Sequence, residues 1–325
     1  SSRALRAAGQ DCTGGLKALL TSRCPRLPVP SQTSWELVSL AWWRWTMDNP
    51  YLLDLPAVAS FSGGRTSGFM LRQILDAHGG QPEGLVVSFQ NTGLEHPATY
   101  DFIKEVEERW GVDITWLEYD LDEENKPTYK VVNYGTASRN GEPFEKMILK
   151  KSYLPNPVAR ICTVQLKIRT LSKYLASLEA FADGWTNAIG LRFDEPRRAL
   201  RLKGDTVKED NVAPMYHAKH TEEDVLEFWK NQPFDLELPL RGNMAGNCVG
   251  CFLKGRGKLE ILMEEMPEHF DWWEKAETLV PGAHGKGGVF RKDRPSYAQL
   301  MKQVREQGRL FGPDDEDTIP CMCTD

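Results

Sequence analysis

Seven small and polar residues follow directly on an apolar run, and their types suit the binding of an anion. The segment Ser62-Gly63-Gly64-Arg65-Thr66-Ser67-Gly68 comes after the run 57–61, and apolar residues at helical spacing follow it. This pattern predicts a buried strand, a tight turn and a helix that begins near Ser67. Because the first N–H groups of a helix lack intrahelical partners and the helix dipole favours negative charge there, the segment predicts a phosphate site.

The cysteines have a spacing that differs from a secreted disulfide framework. The chain has seven, an odd number, with one C-x-x-C at Cys248 and Cys251 and one C-x-C at Cys321 and Cys323. In an intracellular enzyme such spacing is typical of metal or redox chemistry.

Alternating strand and helix patterns indicate how these residues are positioned. Apolar runs at 85–89, 114–119 and 187–191 predict further buried strands, and amphipathic helices are predicted between the runs. Such alternation predicts an α/β fold, a parallel sheet with helices on both faces. Ligands of such sheets lie beyond the carboxyl ends of the strands, where the glycine-containing segment is placed. The polar stretch 120–157 is predicted to be a long excursion over the site.

Composition and charge limit the class of protein. The chain has 325 residues, 41% hydrophobic and 26% charged, which is typical of a globular protein. No apolar run approaches the ~20 residues that span a bilayer, and we expect a cytoplasmic protein. The net charge is −6, yet residues 139–203 contain thirteen Lys/Arg against six Asp/Glu. This excess suits a nucleotide or a nucleic acid, and a solvated basic face explains the outer lysines equally well.

The changes in pattern along the chain predict three regions. Residues 1–50 are an N-terminal extension of unclear role, since they contain few acidic residues and little periodicity. Residues 51–205 form the nucleotide-binding α/β domain. Residues 206–325 form a smaller helical region that carries the C-x-x-C and a cysteine-containing tail.

Four segments, in this order, resemble the PAPS reductase family of the PP-loop (adenine nucleotide α-hydrolase-like) superfamily. Segment 62–68 is similar to its S-G-G-x-[DT]-S loop, and 91–99 to its D-T-G…P-E-T segment, with Asn91 for Asp and Ala98 for Glu. Segment 160–167 is similar to R-x-C-[CT]…K, and 190–198 to G-[IL]-R-x-[DE]-E-x-x-R. The Ser-Gly-Gly loop and the single Cys162 followed by Thr resemble the DNA phosphorothioation sulfurtransferase-like branch most.

The resemblance implies a Rossmann-like (HUP-type) sheet and an enzyme that activates a substrate with ATP and then transfers sulfur. Guanidinium and ammonium groups would neutralise phosphate charge, and Mg²⁺ would bridge phosphates near Asp194 or Glu195. Arg160 and Glu195 are the expected catalytic residues, with Cys321 and Cys323 as candidate thiol nucleophiles. The expected nucleotide-binding residues are Ser62, Gly63, Gly64, Arg65, Thr66, Ser67, Gly68, Asn91, Thr92, Gly93, Lys167, Arg192, Arg197 and Arg198.

A metal centre is the second expectation from the resemblance. Cys162, Cys248 and Cys251 would be three thiolate ligands of a [4Fe–4S] cluster, with an open position or a tail cysteine as the fourth. Two alternatives remain open: a four-thiolate Zn²⁺ site, which needs Cys321 or Cys323, and buried structural cysteines.

Other functions stay open on the sequence. One is a true PAPS or APS reductase that produces sulfite with a tail thiol and a thioredoxin-like partner, and another is a non-catalytic nucleotide-binding regulator. For the sulfurtransferase, the expected partners are a nucleotide, a sulfur donor such as a cysteine desulfurase, and a tRNA, DNA or metabolite acceptor. A homo-oligomer is a further expectation, and no membrane partner is expected.

Overall fold

The computed structural model of the chain describes residues 49–202, 208–240, 243–281 and 287–312. All of them belong to one compact unit, Thr46–Asp325. Within these residues, six strands form one sheet: β1 (Ala57–Ser60), β2 (Leu85–Asn91), β3 (Ile114–Leu121), β4 (Pro127–Val132), β5 (Trp185–Ile189) and β6 (Glu209–Val212).

The α-helices of the described residues alternate with these strands in the first part of the chain and follow one another in the last part. They are α1 (Arg65–His78), α2 (Pro97–Trp110), α3 (Glu142–Lys151), α4 (Arg169–Leu175), α5 (Pro196–Ala199), α6 (Pro214–His217), α7 (Glu222–Lys230), α8 (Arg256–Glu265), α9 (Asp271–Ala276) and α10 (Tyr297–Gln307). A π-helix, Thr163–Ile168, leads directly into α4, and 3₁₀ turns lie at Glu179–Phe181 and Pro267–Phe270.

The strand order places the first strand in the middle of the sheet. The order is β4-β3-β2-β1-β5-β6, and all neighbours are parallel except β3 and β4. After β1 the chain builds the sheet outward through β2 and β3, and it then returns to β5 on the other side of β1. The strand order therefore reverses between β1 and β5, where open α/β sheets bind their ligands.

Apolar side chains cover both faces of the sheet. On one face, β1 and β2 pack with α1, α2 and α7. On the other face, Val58 and Leu117 pack with Leu171 and Leu175 of α4. A further apolar cluster joins α3, the C-x-x-C turn and helices α8 to α10.

The predicted α/β fold class is confirmed. The stretch 120–157 contains β4 and α3, elements that periodicity did not predict, because β4 is a largely exposed edge strand with little apolar alternation. Strand β6 and helix α7 pack with the sheet and its core, so the α/β part continues beyond residue 205. The extension 1–50 lies outside the described residues except for 49 and 50. No helix in the described residues is both long and apolar enough to cross a membrane.

Candidate nucleotide site and thiol cluster

The loop 62–68, called the phosphate loop after the site that the sequence predicts there, lies between β1 and α1 at the carboxyl edge of the sheet. Gly63 has φ +76, and Gly64 is the N-cap of α1. Gly64 has no side chain that could cap the helix, and the first turn of α1, all of whose residues the structure describes, contains no acidic residue. The positive end of the helix is therefore not neutralised by the helix itself and suits an anion.

Hydrogen bonds within the loop hold its shape. The hydroxyl of Ser67 accepts from the Ser62 N–H at 3.1 Å and donates to the Gly64 carbonyl at 3.0 Å. The two hydroxyls of Ser62 and Ser67 lie 2.9 Å apart. Ser67 is fully buried, so its hydroxyl supports the loop from inside, whereas the partly exposed Ser62 lines the adjoining cavity.

The loop's other side chains differ in direction. The Arg65 guanidinium turns to Asp235, at 2.6 and 2.9 Å, while the Thr66 hydroxyl accepts from Arg192 at 3.3 Å. Gly68 packs on Trp229, since a Cβ at this glycine would lie 2.7 Å from the indole ring. The predicted segment is thus one structural unit, but only part of it faces the site.

A cavity of about 200 Å³ opens beside the loop, between the sheet and the helix 163–175. Phe61, Leu171 and Trp185 supply apolar surface to it, and Ile168 lies at its edge, 39% exposed. A mostly apolar cleft with a few polar groups is the usual form of a small-molecule site. Its place next to β1 and β5 agrees with the reversal of strand order.

Polar side chains line the same cavity. Ser62, Thr163 and Lys167 lie along it, and Arg201 is a second cationic residue of its wall. On the sheet, Asn187 accepts from the Ser60 hydroxyl at 2.9 Å and donates to Asn211 at 2.8 Å. The cavity therefore combines cationic groups, which suit phosphate, with amide groups, which suit hydrogen bonding to a nucleoside.

A π-helix positions Thr163 and Lys167 at the cavity. The Arg169 N–H donates to the Val164 carbonyl, five residues back, and the Thr170 hydroxyl donates to the Gln165 carbonyl at 2.8 Å. Such short π-helical segments are frequent at functional sites. The periodicity that predicts a helix before the apolar run 187–191 does not indicate this wider first part.

The Cys248 thiol lies in a buried polar cluster with Thr92 and Glu95. Its Sγ is 3.3 Å from the Thr92 hydroxyl, which donates to the Glu95 carboxylate at 2.8 Å. Burial raises the pKa of Cys248, the nearby Glu95 and Cys251 raise it further, and Lys167 and the Thr92 hydroxyl lower it. Lys167, which lines the cavity, thus also affects the charge state of the thiol.

The three predicted metal ligands pack against one apolar cluster. Cys248 belongs to that cluster, and Cys162 and Cys251 are partly buried against it. Within the described residues, however, no group of three or more His, Cys, Asp or Glu side chains could hold a metal ion. The [4Fe–4S] cluster and the zinc site therefore stay predictions, and Cys321 and Cys323, the candidate fourth ligands, lie outside the described residues.

The polar groups of the Asn91-Thr92-Gly93 segment form hydrogen bonds within the protein. The Asn91 amide donates to Glu118 at 2.7 Å and to the Ser138 carbonyl at 2.8 Å. Asn91 and Thr92 are almost completely buried, and the Gly93 N–H donates to Asn91 at 3.0 Å. The role of these residues in nucleotide binding stays a prediction.

The arginine-rich loop after β5 contains its own carboxylates. Glu195 accepts from Arg198 and from the Arg192 N–H, and Arg192 also pairs with Asp194 at 3.0 Å. Burial lowers the pKa of Arg192, but Glu195, Asp194 and Glu222 outweigh this and raise it overall. Arg197 is exposed. The loop lies against α1 through Thr66, so the structure brings it to the phosphate loop.

Arg160 lies just before the π-helix, where its Nε donates to the Pro157 carbonyl at 3.2 Å. Sequence reasoning missed Glu95, Trp229 and Asp235, which contact the Cys248 cluster and the phosphate loop. The matched motif positions include none of them, although Glu95 lies between Gly93 and Pro97 of the matched segment 91–99.

Comparisons with known proteins identify relatives of the chain. No family model matches it. The chain is 32% identical over 262 residues to the uncharacterised nin region protein ORF290 of Escherichia phage lambda, covering 78% of this chain and 81% of that protein. It is 25% identical over 237 residues to the uncharacterised protein MJ0066 of Methanocaldococcus jannaschii, covering 71% of this chain and 43% of that protein.

Two solved structures are similar at low identity. One is a PAPS reductase from Candida auris in a phosphate complex (TM-score 0.37, 13% identity, 62% of this chain and 87% of that chain). The other is the U34-tRNA thiolase NcsA from Methanococcus maripaludis with its [4Fe–4S] cluster (TM-score 0.38, 14% identity, 94% of this chain and 96% of that chain). The fold class rests on the sheet topology.

Proposed function

We propose that this chain, which belongs to the family of the nin region protein ORF290 of Escherichia phage lambda, is a PP-loop enzyme that activates a substrate with ATP for sulfur transfer. The observation that carries the proposal is the cavity beside the phosphate loop. Its wall includes Ser62, two residues before the N-cap of α1, and Lys167 of the same wall lowers the pKa of the Cys248 thiol. A nucleotide site and a sulfur-bearing group would then be neighbours.

The reaction proposed has two balanced steps. An oxygen of the substrate attacks the α-phosphorus of ATP, the bond to the β-phosphate oxygen breaks, and pyrophosphate leaves. A hydrosulfide equivalent from a sulfur donor then attacks the adenylated carbon, a C–S bond forms, and AMP leaves with the oxygen. The chain's own part is to bind the phosphates at the N–H groups of α1, to balance charge with Lys167, and to hold the nucleoside in the cavity.

These proposed steps need no [4Fe–4S] cluster. Its presence stays a separate prediction. Iron and sulfide analysis of anaerobically purified protein tests it, and a colourless preparation without iron contradicts it.

The nucleotide proposal is tested by calorimetric titration of the full chain with ATP and, separately, with PAPS and APS. We expect Lys167→Met to weaken ATP binding at least tenfold, because one positive charge in the cavity wall is lost. Lys173→Met is the matched control: Lys173 lies on the same helical segment, but it donates to the Pro127 carbonyl and lines no part of the cavity.

Product analysis distinguishes the activities. Release of pyrophosphate and AMP from ATP supports the proposal, whereas release of sulfite from PAPS or APS contradicts it in favour of a reductase. Equal ATP affinity of the wild-type chain and Lys167→Met contradicts the role of this cavity.

A further inference from the structure

Arg65, the first residue of α1, is held firmly by a distant part of the chain. Its Nε and Nη2 donate to the two carboxylate oxygens of Asp235 at 2.6 and 2.9 Å, and Nη2 also donates to the Leu236 carbonyl at 2.6 Å. Two parallel N–H···O bonds between guanidinium and carboxylate fix orientation as well as distance. The side chain is therefore locked onto residues 235 and 236.

The main chain of Arg65 is held from the same region. The Trp229 indole N–H donates to the Arg65 carbonyl at 2.8 Å, and Trp229 is only 2% exposed. The indole ring also packs against Gly68, one turn further along α1. The first turn of the helix thus rests on Trp229 and Asp235, which lie more than 160 residues later in the chain.

The phosphate loop needs such an outer support. Gly63 and Gly64 have no side chains that could anchor the loop, and glycine leaves the backbone many conformations. Ser62 and Ser67 hold the inner side of the loop through their hydroxyls. Arg65 connects the loop to residues 235 and 236, and Thr66 connects it to Arg192. N–H donors bind an anion best when they are held in place beforehand.

We propose that Asp235 is a positioning residue for nucleotide phosphate, which acts through Arg65 on the loop 62–68. The inference rests on the proposed nucleotide binding and deepens it. Arg65 then serves as an anchor, not as a phosphate ligand, because its charge is matched by Asp235. The cationic partners of the phosphates are instead those of the cavity, Lys167 above all.

The test compares two aspartates that pair with arginines of the same helix. Asp235→Ala removes the pair at the start of α1, and Asp76→Ala removes the Arg72–Asp76 pair near its end, with a similar exposure of the arginine (30% and 35%). We expect at least tenfold weaker ATP binding for Asp235→Ala and a change within twofold for Asp76→Ala, by calorimetric titration. Thermal midpoints of both variants measure the effect on folding.

Two further variants separate positioning from folding. Asp235→Asn keeps the shape of the side chain and one acceptor oxygen, so we expect an intermediate affinity for it, even if Asp235→Ala fails to fold. Because Asp235 acts through Arg65, the double variant Arg65→Ala/Asp235→Ala should bind ATP no more weakly than Asp235→Ala alone.

Wild-type affinity in Asp235→Ala and Asp235→Asn overturns the inference and leaves the proposed function intact. Equal losses in Asp235→Ala and Asp76→Ala also overturn it, because the effect would then be general destabilisation. If the wild-type chain binds no ATP, the proposed function fails and the inference fails with it.

Discussion

Replacement of Gly63 by alanine measures how strictly the phosphate loop depends on its glycine. Gly63 has φ +76, a left-handed conformation that costs a residue with a Cβ about 1–2 kcal/mol. The added Cβ would also lie 2.7 Å from Thr99 Cγ2 and 2.9 Å from Ile103 Cδ1. Both of these side chains are at least 97% buried and have little room to move. Overpacking of this kind costs about 1–3 kcal/mol more.

Gly79 is a matched control at the other end of the same helix. It has φ +71, and a Cβ there would meet nothing within 4 Å. Gly79→Ala should therefore lose about 1–2 kcal/mol of unfolding free energy, from the backbone alone. Gly63→Ala should lose about 2–5 kcal/mol, the sum of the two costs. The difference between the variants isolates the contact with Thr99 and Ile103.

Urea denaturation of both variants gives the two free energies, and titration with ATP gives the affinities. We expect weaker ATP binding only for Gly63→Ala, because its loop must move away from Thr99 and the N–H groups move with it. If Gly63→Ala is no less stable than Gly79→Ala, the close packing of the loop on α2 is refuted.

Two other outcomes are expected. Asn91→Asp introduces the residue that the resembled family has at this position, yet it should cost about 2–4 kcal/mol of unfolding free energy, because it replaces the N–H donated to buried Glu118 by a second carboxylate. Urea denaturation measures this loss, and the double variant Asn91→Asp/Glu118→Gln should restore part of it. An unchanged stability of Asn91→Asp would contradict the assigned hydrogen bond. The pKa values of His78, His96 and His220 are lowered by burial, so these neutral groups favour the folded state above pH 6.5, and that stability is lost as the pH falls through their lowered pKa values. Between pH 7.5 and pH 5, the unfolding free energy should fall more for the wild-type chain than for the variant with all three histidines changed to Gln. Equal falls in unfolding free energy would argue against neutral histidines in the fold.

Local patterns in the sequence were sufficient for the central elements. The buried strands β1, β2, β3 and β5 are short apolar runs next to glycine or polar turns, and helix α1 follows directly on its loop. These features depend on neighbours in the chain, so the sequence indicates them well. The periodicity did not predict the edge strands β4 and β6, because edge strands carry few apolar residues and their pairing is decided by the strands beside them.

The phosphate loop was likewise predictable, since its glycines and hydroxyls adjoin one another in the chain. The roles within it were not. Whether Arg65 faces a phosphate or an aspartate depends on where residues 229–236 lie, and no local pattern states that position. The same holds for Cys248, whose contact with Thr92 joins residues 156 positions apart.

Sequence alone therefore determined the fold class and the place of the phosphate loop, because both follow from periodicity and backbone chemistry over a few residues. Tertiary structure decided which side chains remain available to a ligand. Asn91, Arg65 and Glu195 carry groups that suit a ligand site, but each already forms hydrogen bonds with another residue of the chain. Hydrogen bonds formed on folding occupy such groups, and only the packed structure shows which ones they are.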